Sequence, residues 1–557
     1  MKKVCKSALG IALVAALVLS LALTAGAADN NSLKVFVASD IHYRPYSELT
    51  PLKELESQID DPLYRHANMK SMLTYEADAV IAAFLADAKA SGAKYILIPG
   101  DLSEDGHWAE HRGIAKILKD FQKRTGIQVF VVPGNHDIRT SASRGRLDLA
   151  DFLDIYADLG YNRALVRREG DGSYTADLSN GYRLLAIDAI IYRDDASAVS
   201  PELFTWIEEQ LQQAQRDGKK VIAMTHYSVL DHFLIEGFTG GLLTIDQYRK
   251  LATMLADAGV KYAFTGHVHA NDIAYADTAK GNRIFDIETG CLLAYPNAYR
   301  QVTFGDAEVK IETRYVDKID TSLLPKGFSK AQLDLMRSDF PKYSFDYHRA
   351  AFRSYVDLLP DLTGTLADAL NAEKGTVGYE LIDMMVRSLT LAVKLPLYGE
   401  KDSVEAIAKK AGVTLEKSEY KNLLDLAGVI YAGHYAGNEQ YPMESLEMRL
   451  LGQAVNAVLV TAAVPDIGPL PGLAARRIYA RTPGKAFTNE FVRMLAGGIL
   501  TDWATPDDLN VTLEPYGATW DMAGNAAKIT DLTFAMDIAA RVATMASKTM
   551  LRMVGIN

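Results

Sequence analysis

A chain of 557 residues is too long for one ordinary hydrophobic core and predicts two or three domains. Its 49% hydrophobic and 23% charged residues are a normal globular composition, and a formal charge of -11 without a long basic run argues against a surface that holds nucleic-acid polymers.

The chain opens with MKKVCKSALGIALVAALVLSLALTAGAADN, which joins a basic start, a long apolar stretch and a small-residue ending near Ala27. That order reads as a secretory signal over residues 1–28, with an uncleaved membrane anchor as the alternative, the one case in which membrane association is expected. Cys5 precedes the apolar run, which argues against a lipoprotein cysteine at the cleavage point. Loss of the leader leaves Cys291 alone, so no internal disulfide can form and the fold must rest on packing and metals. The expected location is outside the cytoplasm: extracellular, periplasmic or at the surface of a bacterial cell.

From Leu33 to about Tyr315, short β-rich runs alternate with helical patterns. LKVFVAS is followed by a helix around Met69–Ala90, KYILIP, a helix around Trp108–Lys123, and IQVFVVP. YRLLAID, the helix PELFTWIEEQLQQAQ, KKVIAMT, the helix TIDQYRKLATMLADAG and KYAFTG come next. Alternation of this kind predicts an α/β (α+β) domain, and the shorter strands NRIFDIE and RQVTFG favour a mixed sheet or β-sandwich flanked by helices. After Asp317 no convincing strand follows, and helical periods dominate, as in SKAQLDLMRSDF, YELIDMMVRSLTLAVK, SLEMRLLGQAVNAVL and ITDLTFAMDIAARVATMASKTM. The expected division is a leader (1–28), a catalytic domain (29–320) and an all-α domain of unknown role and partner (321–557), punctuated by PDIGPLPG at Pro465–Gly472. Leu450–Val464 is uncharged but only fifteen residues long, which suits a buried helix rather than a membrane span.

Nine of the eleven histidines fall before residue 270, which points the chemistry at the first domain. Five polar clusters each follow directly on an apolar strand: Asp40 and His42 in VFVASDIH, Asp101 in YILIPGD, Asn135, His136 and Asp137 in VFVVPGNHD, His226 in VIAMTH, and His267 and His269 in FTGHVH. Strand side chains alternate faces, so His267 and His269 are expected on one side, about 6–7 Å apart, and sites form where strand ends converge.

Taken in order, Asp-x-His, Gly-Asp, Gly-Asn-His-Asp, His and Gly-His-x-His resemble the motif set of the calcineurin-like metallophosphoesterases. Further stretches, GDLSEDGHWAEHRGIAKIL, DFLDIYADLGYNRAL, GHVHANDI and IETGCLLAYPNAYR, look like a secreted bacterial branch related to class III cyclic-nucleotide phosphodiesterases that carries a C-terminal helical domain. The resemblance implies a four-layer β-sandwich and two divalent or trivalent ions, most naturally Mn, Fe or Zn with oxygen and imidazole donors and no ligating Cys. By the same resemblance, Asp40, His42 and His269 would hold one ion, and Asn135, His226 and His267 the other. Asp101 would bridge them. His136 would touch the phosphoryl oxygens or protonate the leaving alkoxide while a bridging hydroxide attacks phosphorus in line. The implied activity is hydrolysis of a small phosphodiester, a cyclic nucleotide among the candidates, with a phosphomonoesterase or a non-catalytic binding protein as alternatives.

Several features stay outside that set. GHWAEH contains His107, Glu110 and His111 in the His-x-x-Glu-His order of an inverted zinc-peptidase helix, without an evident third ligand. His66 is expected on the surface, and His232 behind a ligand or against substrate. An insertion after His42 carries Tyr43, Arg44 and Tyr46, which read as an exposed polar loop or as substrate contacts. His348 and His434 read as structural.

Overall fold

The computed structural model describes residues 32–463 except 56–62, 69, 139–146, 193–195, 233–240, 242–243, most of 354–372, 438–440 and 442–444, and describes residues 510–513. The expected leader, the segment PDIGPLPG and the helical pattern Ile529–Met550 lie outside the described residues.

In chain order the strands are β1 (Leu33–Val37), β2 (Tyr95–Pro99), β3 (Gln128–Val132), β4 (Val166–Arg167), β5 (Tyr174–Asp177), β6 (Tyr182–Ile187), β7 (Ile190–Ile191), β8 (Ala196–Ser197), β9 (Lys220–Thr225), β10 (Tyr262–Thr265), β11 (Asp272–Asp277), β12 (Arg283–Glu288), β13 (Ala298–Phe304), β14 (Val309–Tyr315) and β15 (Asn510–Leu513). Two mixed sheets result, ordered β15-β14-β13-β1-β2-β3 and β11-β12-β10-β9-β6-β5-β4, with β7 and β8 as a separate ribbon. Strands β1, β2 and β3 are parallel, as are β6, β9, β10 and β12.

The apolar runs explain the layering. Every residue of β6 is buried, because the strand faces two cores at once. Leu184 and Ala186 join the core that contains the first sheet's strands, whereas Leu185 and Ile187 join a second core with Ile207 and Leu211 of the helix Pro201–Arg216 and Leu251 and Leu255 of the helix Tyr248–Asp257. The period-2 alternation repeats on β9, with Ile222 and Met224 against Val221 and Ala223. Phe84 of the helix Ala77–Ala90 packs on Phe36 and Tyr299 of the first sheet. The arrangement is the mixed α/β sandwich expected from the sequence.

Three local expectations need correction. The helix expected from Met69 begins at Ala77, after a 3-10 turn over Thr74–Glu76. The residues before it are drawn into extended pairing, with the Leu73 N–H donating to the Leu293 carbonyl at 2.8 Å. A strand does follow Asp317: β15 adds antiparallel to β14, pairing Leu513 with Val309. His66 is buried, 3.0 Å from Glu76 Oε1 and 3.0 Å from the Tyr343 hydroxyl.

Past residue 320 the first apolar core continues. Helices Lys330–Ser338 and Phe340–Phe352 belong to the first core, to which they contribute Met336, Phe340, Tyr343 and Tyr347. Tyr343 donates to Glu76 Oε1 at 2.5 Å and Tyr347 to the Met72 carbonyl at 2.8 Å. A distinct apolar cluster begins only near residue 392, built from helices Val377–Val393, Val404–Ala411, Leu423–Ala436 and Leu446–Ala463. Leu450, Ala454 and Val458 of the last helix are buried there, and among the described residues no helix is long and apolar enough to cross a membrane.

Because Tyr347 is fully buried in the first core, Tyr347→Ala is expected to cost about 3–5 kcal/mol, and Tyr347→Phe only about 1 kcal/mol. Denaturant melts checked against wild type test this; an unchanged midpoint for Tyr347→Ala would place the helix outside that core.

Candidate metal centre

The carboxyl ends of β1, β2, β3, β9 and β10 deliver Asp40, Asp101, Asn135, His226 and His267 to one cleft. The loops that carry them are tied together by backbone bonds: His42 N–H to the Asp101 carbonyl at 2.9 Å, and Gly266 N–H to the His226 carbonyl at 2.9 Å. Close approach demands glycine at two points. A Cβ on Gly134 would overlap Asp101 Oδ1, and one on Gly266 would overlap Ser39 Oγ and Asp40 Oδ2.

Five of the seven candidate ligands, Asp40, His42, Asp101, His267 and His269, have positive φ between 45° and 76°. His267 and His269 therefore sit in a turn beyond the end of β10, not in the extended strand expected from their spacing. Left-handed backbone at non-glycine residues costs about 1 kcal/mol or more each, and such strain is concentrated where chemistry needs side chains aimed together.

The aim is into two groups of donors that share one residue. Asp40, His42, Asp101 and His269 offer ligand atoms within 4.8 Å of one another, and so do Asp101, His226 and His267. Asp101 Oδ2 lies 3.4 Å from His42 Nε2 and 3.3 Å from His226 Nε2, so one carboxylate oxygen faces both groups. Asn135 Oδ1 completes the second group, 2.8 Å from His226 Nε2 and 3.1 Å from His267 Nδ1. His42 Nε2 and His269 Nε2 stand only 3.0 Å apart.

Contacts on the far side of each ligand set its orientation. His226 Nδ1–H donates to the Pro99 carbonyl at 2.8 Å, which turns the Nε2 lone pair inward. His42 Nδ1 faces Glu104 Oε2 at 3.2 Å, an ionic rather than a well-aligned hydrogen-bonded contact, and Glu104 is shared with Lys70 Nζ at 2.6 Å. Asp101 Oδ1 accepts the His136 N–H at 2.8 Å, and both Asp40 oxygens face the His267 N–H, at 3.1 and 3.0 Å. Tyr227 lies against the His267 ring, with centroids 3.9 Å apart.

This donor set fits metal ions. Burial, with Asp101 beside it, pushes Asp40 up to about 6 against the pull of His226. Burial also disfavours a charged His226, yet Asp101 and Asp40 push it up to about 9. His269 is driven the other way, well below the ordinary histidine range, by burial and by His42. So many buried groups with conflicting charge demands, their lone pairs converging, are reconciled by cations. Carboxylate and imidazole donors without sulfur suit Mn, Fe or Zn. All seven candidate ligands and His136 meet in one place, the His136 and His42 rings having centroids 4.7 Å apart.

The remaining candidates are absorbed by structure. His111 points away from this centre and is fully buried; its Nε2–H donates to the Asp137 carbonyl at 2.9 Å, and its Nδ1 accepts from the Tyr156 hydroxyl at 2.9 Å. Glu110 closes the helix N-terminus and binds Arg44 at 2.7 Å, so the His-x-x-Glu-His order here is a helix start, not a peptidase site. Arg44 also pairs with Asp105, Tyr43 donates to Asp78 at 3.1 Å, and Tyr46 reaches toward the Lys326 carbonyl at 3.5 Å. His232 is buried 2.5 Å from Asp272 Oδ2 and 3.3 Å from Asp286 Oδ2, anchoring the loop after His226.

One contributor escaped the sequence reading, and a second was named there without a role. Glu104, three residues after Asp101, backs His42. Asp137 ties two ligand loops together by accepting from Leu102 N–H (3.2 Å), Ser103 N–H (2.9 Å), Ser103 Oγ (2.9 Å) and Gly134 N–H (2.9 Å).

Residues 33–271 match the family model described as calcineurin-like phosphoesterase. The match spans less than half of the chain. The family is one of metal-dependent phosphoester hydrolases that typically use a dinuclear metal site. No curated protein matches the chain in sequence. A dimetal phosphatase from Danio rerio is similar at 11% identity and TM-score 0.37, over 52% of this chain and 98% of its own. A purple acid phosphatase from yellow lupin (Lupinus luteus) seeds is similar at 13% identity and TM-score 0.33, over 51% of this chain and 52% of its own.

Two expectations follow for this site. Saturating Mn should stabilise the chelated protein, by about 3–4 kcal/mol at free metal 100–1,000 times Kd, and Asp101→Asn should remove most of that shift; thermal melts that ignore Mn would exclude a metal site here. Burial holds His111 down to about 4, so the folded state refuses a proton that the unfolded chain takes up below about 6.5. Wild type therefore loses stability relative to His111→Gln as pH falls from about 6.5 toward about 4, by on the order of 3 kcal/mol. The cost of the substitution should be largest near pH 7 and shrink in acid, as read from urea midpoints; a pH-independent cost would contradict a neutral His111.

Proposed function

We propose that the chain is an exported phosphodiesterase acting on a small phosphodiester, with cyclic nucleotides among its candidate substrates. One observation carries the hydrolase reading: a single Asp101 oxygen faces two groups of ligands, with His136 beside it. The diester preference is supported by the resemblance of GDLSEDGHWAEHRGIAKIL and IETGCLLAYPNAYR to the cyclic-nucleotide branch, and export by the leader at residues 1–28.

Two ions, one held by Asp40, His42 and His269 and the other by Asn135, His226 and His267 with Asp101 between, would neutralise the ester's charge and lower the pKa of water. The chain's own residues supply the rest. His136 Nδ1–H donates to the Glu104 carbonyl at 2.5 Å, which fixes the ring and leaves Nε2 as its basic nitrogen. Burial, reinforced by His42 and Lys70, holds His136 down to about 4 despite Asp101. A phosphoryl anion beside the ring restores its affinity for a proton, and Nε2–H then holds a phosphoryl oxygen or protonates the departing alkoxide.

A phosphomonoesterase is the second reading. Lys70 favours it: its ammonium, drawn to Glu104 at the His42 side of the centre, adds positive charge suited to a dianion.

Hydrolysis of an aryl phosphodiester beside the matching monoester, with Mn-loaded protein, separates the two. The diester should be preferred, activity should vanish with chelator, and His136→Ala should lower kcat about 10²- to 10⁴-fold while leaving Mn binding intact. Preferred monoester turnover would replace the first reading with the second, and a Mn-loaded protein inert to both would reject phosphoester hydrolysis.

A further inference from the structure

The turn bearing His267 and His269 is held from outside the matched phosphoesterase segment. Asn271, fully buried, donates to the Tyr435 carbonyl from its backbone N–H at 3.3 Å and from Nδ2 at 3.0 Å. Its Oδ1 accepts the Gly290 N–H at 3.1 Å, so the side chain is spent on fixing this one geometry. Tyr435 lies at the C-terminal end of the helix Leu423–Ala436, where carbonyls lack partners within the helix; Asn271 supplies one. The Tyr435 ring meets His269 edge-on, with centroids 6.4 Å apart, and is backed by His348 at 4.8 Å and Tyr431 at 4.7 Å. Gly437 ends the helix with φ 66°, and a Cβ there would overlap the Asn271 carbonyl oxygen.

We propose that this helix end is a positioning element of the metal centre: through Asn271 and Tyr435 it holds His269 toward Asp40 and His42, and so sets ion affinity at that position more than at the one formed by Asn135, His226 and His267. Asn271 and Tyr435 touch neither substrate nor reacting atoms and act only through His269 and its turn. The negative end of the helix dipole, directed at this turn, favours a cation on the same side. The inference rests on the two-ion reading of the site.

Mn binding measured calorimetrically on the full chain tests it, with His269→Ala marking which binding step belongs to the Asp40–His42–His269 position. Asn271→Ala and Gly437→Ala should weaken that step about 10- to 100-fold and leave the other within about threefold, the range seen when groups behind a ligand are removed. Tyr435→Phe keeps the carbonyl and the ring and should bind Mn as wild type does. Circular dichroism at the titration temperature confirms that each variant is folded. Two unaltered steps in both variants would overturn the inference while leaving the two-ion site standing. Equal weakening of both steps would also overturn it, because the contact would then be general support. A wild-type protein that takes up no Mn would instead overturn the metal reading itself, and this inference with it.

Discussion

The structure is organised around one buried carboxylate that faces two groups of candidate ligands at once. Asp101 takes the His136 N–H on one oxygen and turns the other toward two imidazoles from opposite groups. Burial opposes its ionisation, but His226 and His136 beside it hold it well below the usual carboxylate range. Around it the chain accepts left-handed backbone at ligand after ligand and packs glycine where any side chain would collide. Those are costs to folding, incurred where a cluster must be aimed at charge that arrives from outside.

The two sheets make that aim possible. Parallel strands β1, β2 and β3 end on one side of the cleft, β9 and β10 on the other, and packing between the sheets fixes their separation. Apolar side chains fill β1, β2, β3, β9 and β10 inside the core, and the candidate ligands Asp40, Asp101, Asn135 and His226 stand just beyond the strand ends. The strands thus place the loops that carry the ligands, while neighbouring carbonyls and carboxylates, those of Pro99, Glu104 and Asp137 among them, set their orientation.

The region after the matched segment is not an appendage. Tyr343 and Tyr347 complete the first core, β15 extends its sheet, and the helix ending at Ala436 caps the turn of His269. Three contacts of different kinds therefore join the residues after 320 to the first domain, and one of them reaches the turn of a candidate ligand.

The sequence by itself determined the α/β alternation, because strands buried on two faces must be continuous apolar runs, and it determined which polar residues stand at their ends. VFVASDIH and FTGHVH display the donors directly, since ligand type and position relative to a strand are local properties. Tertiary structure decided what locality cannot carry. Asp101 faces both groups because of where β2 lies between its neighbours, and His111 turns inward because Tyr156 and the Asp137 carbonyl wait there. The helix periods after residue 329 were legible, but not what each face would meet, so the shared core of Tyr343 and Tyr347 appeared only in three dimensions. Asn271 shows the reason most plainly: its partner is a main-chain carbonyl 164 residues away, and a backbone acceptor has no residue type by which a sequence could announce it.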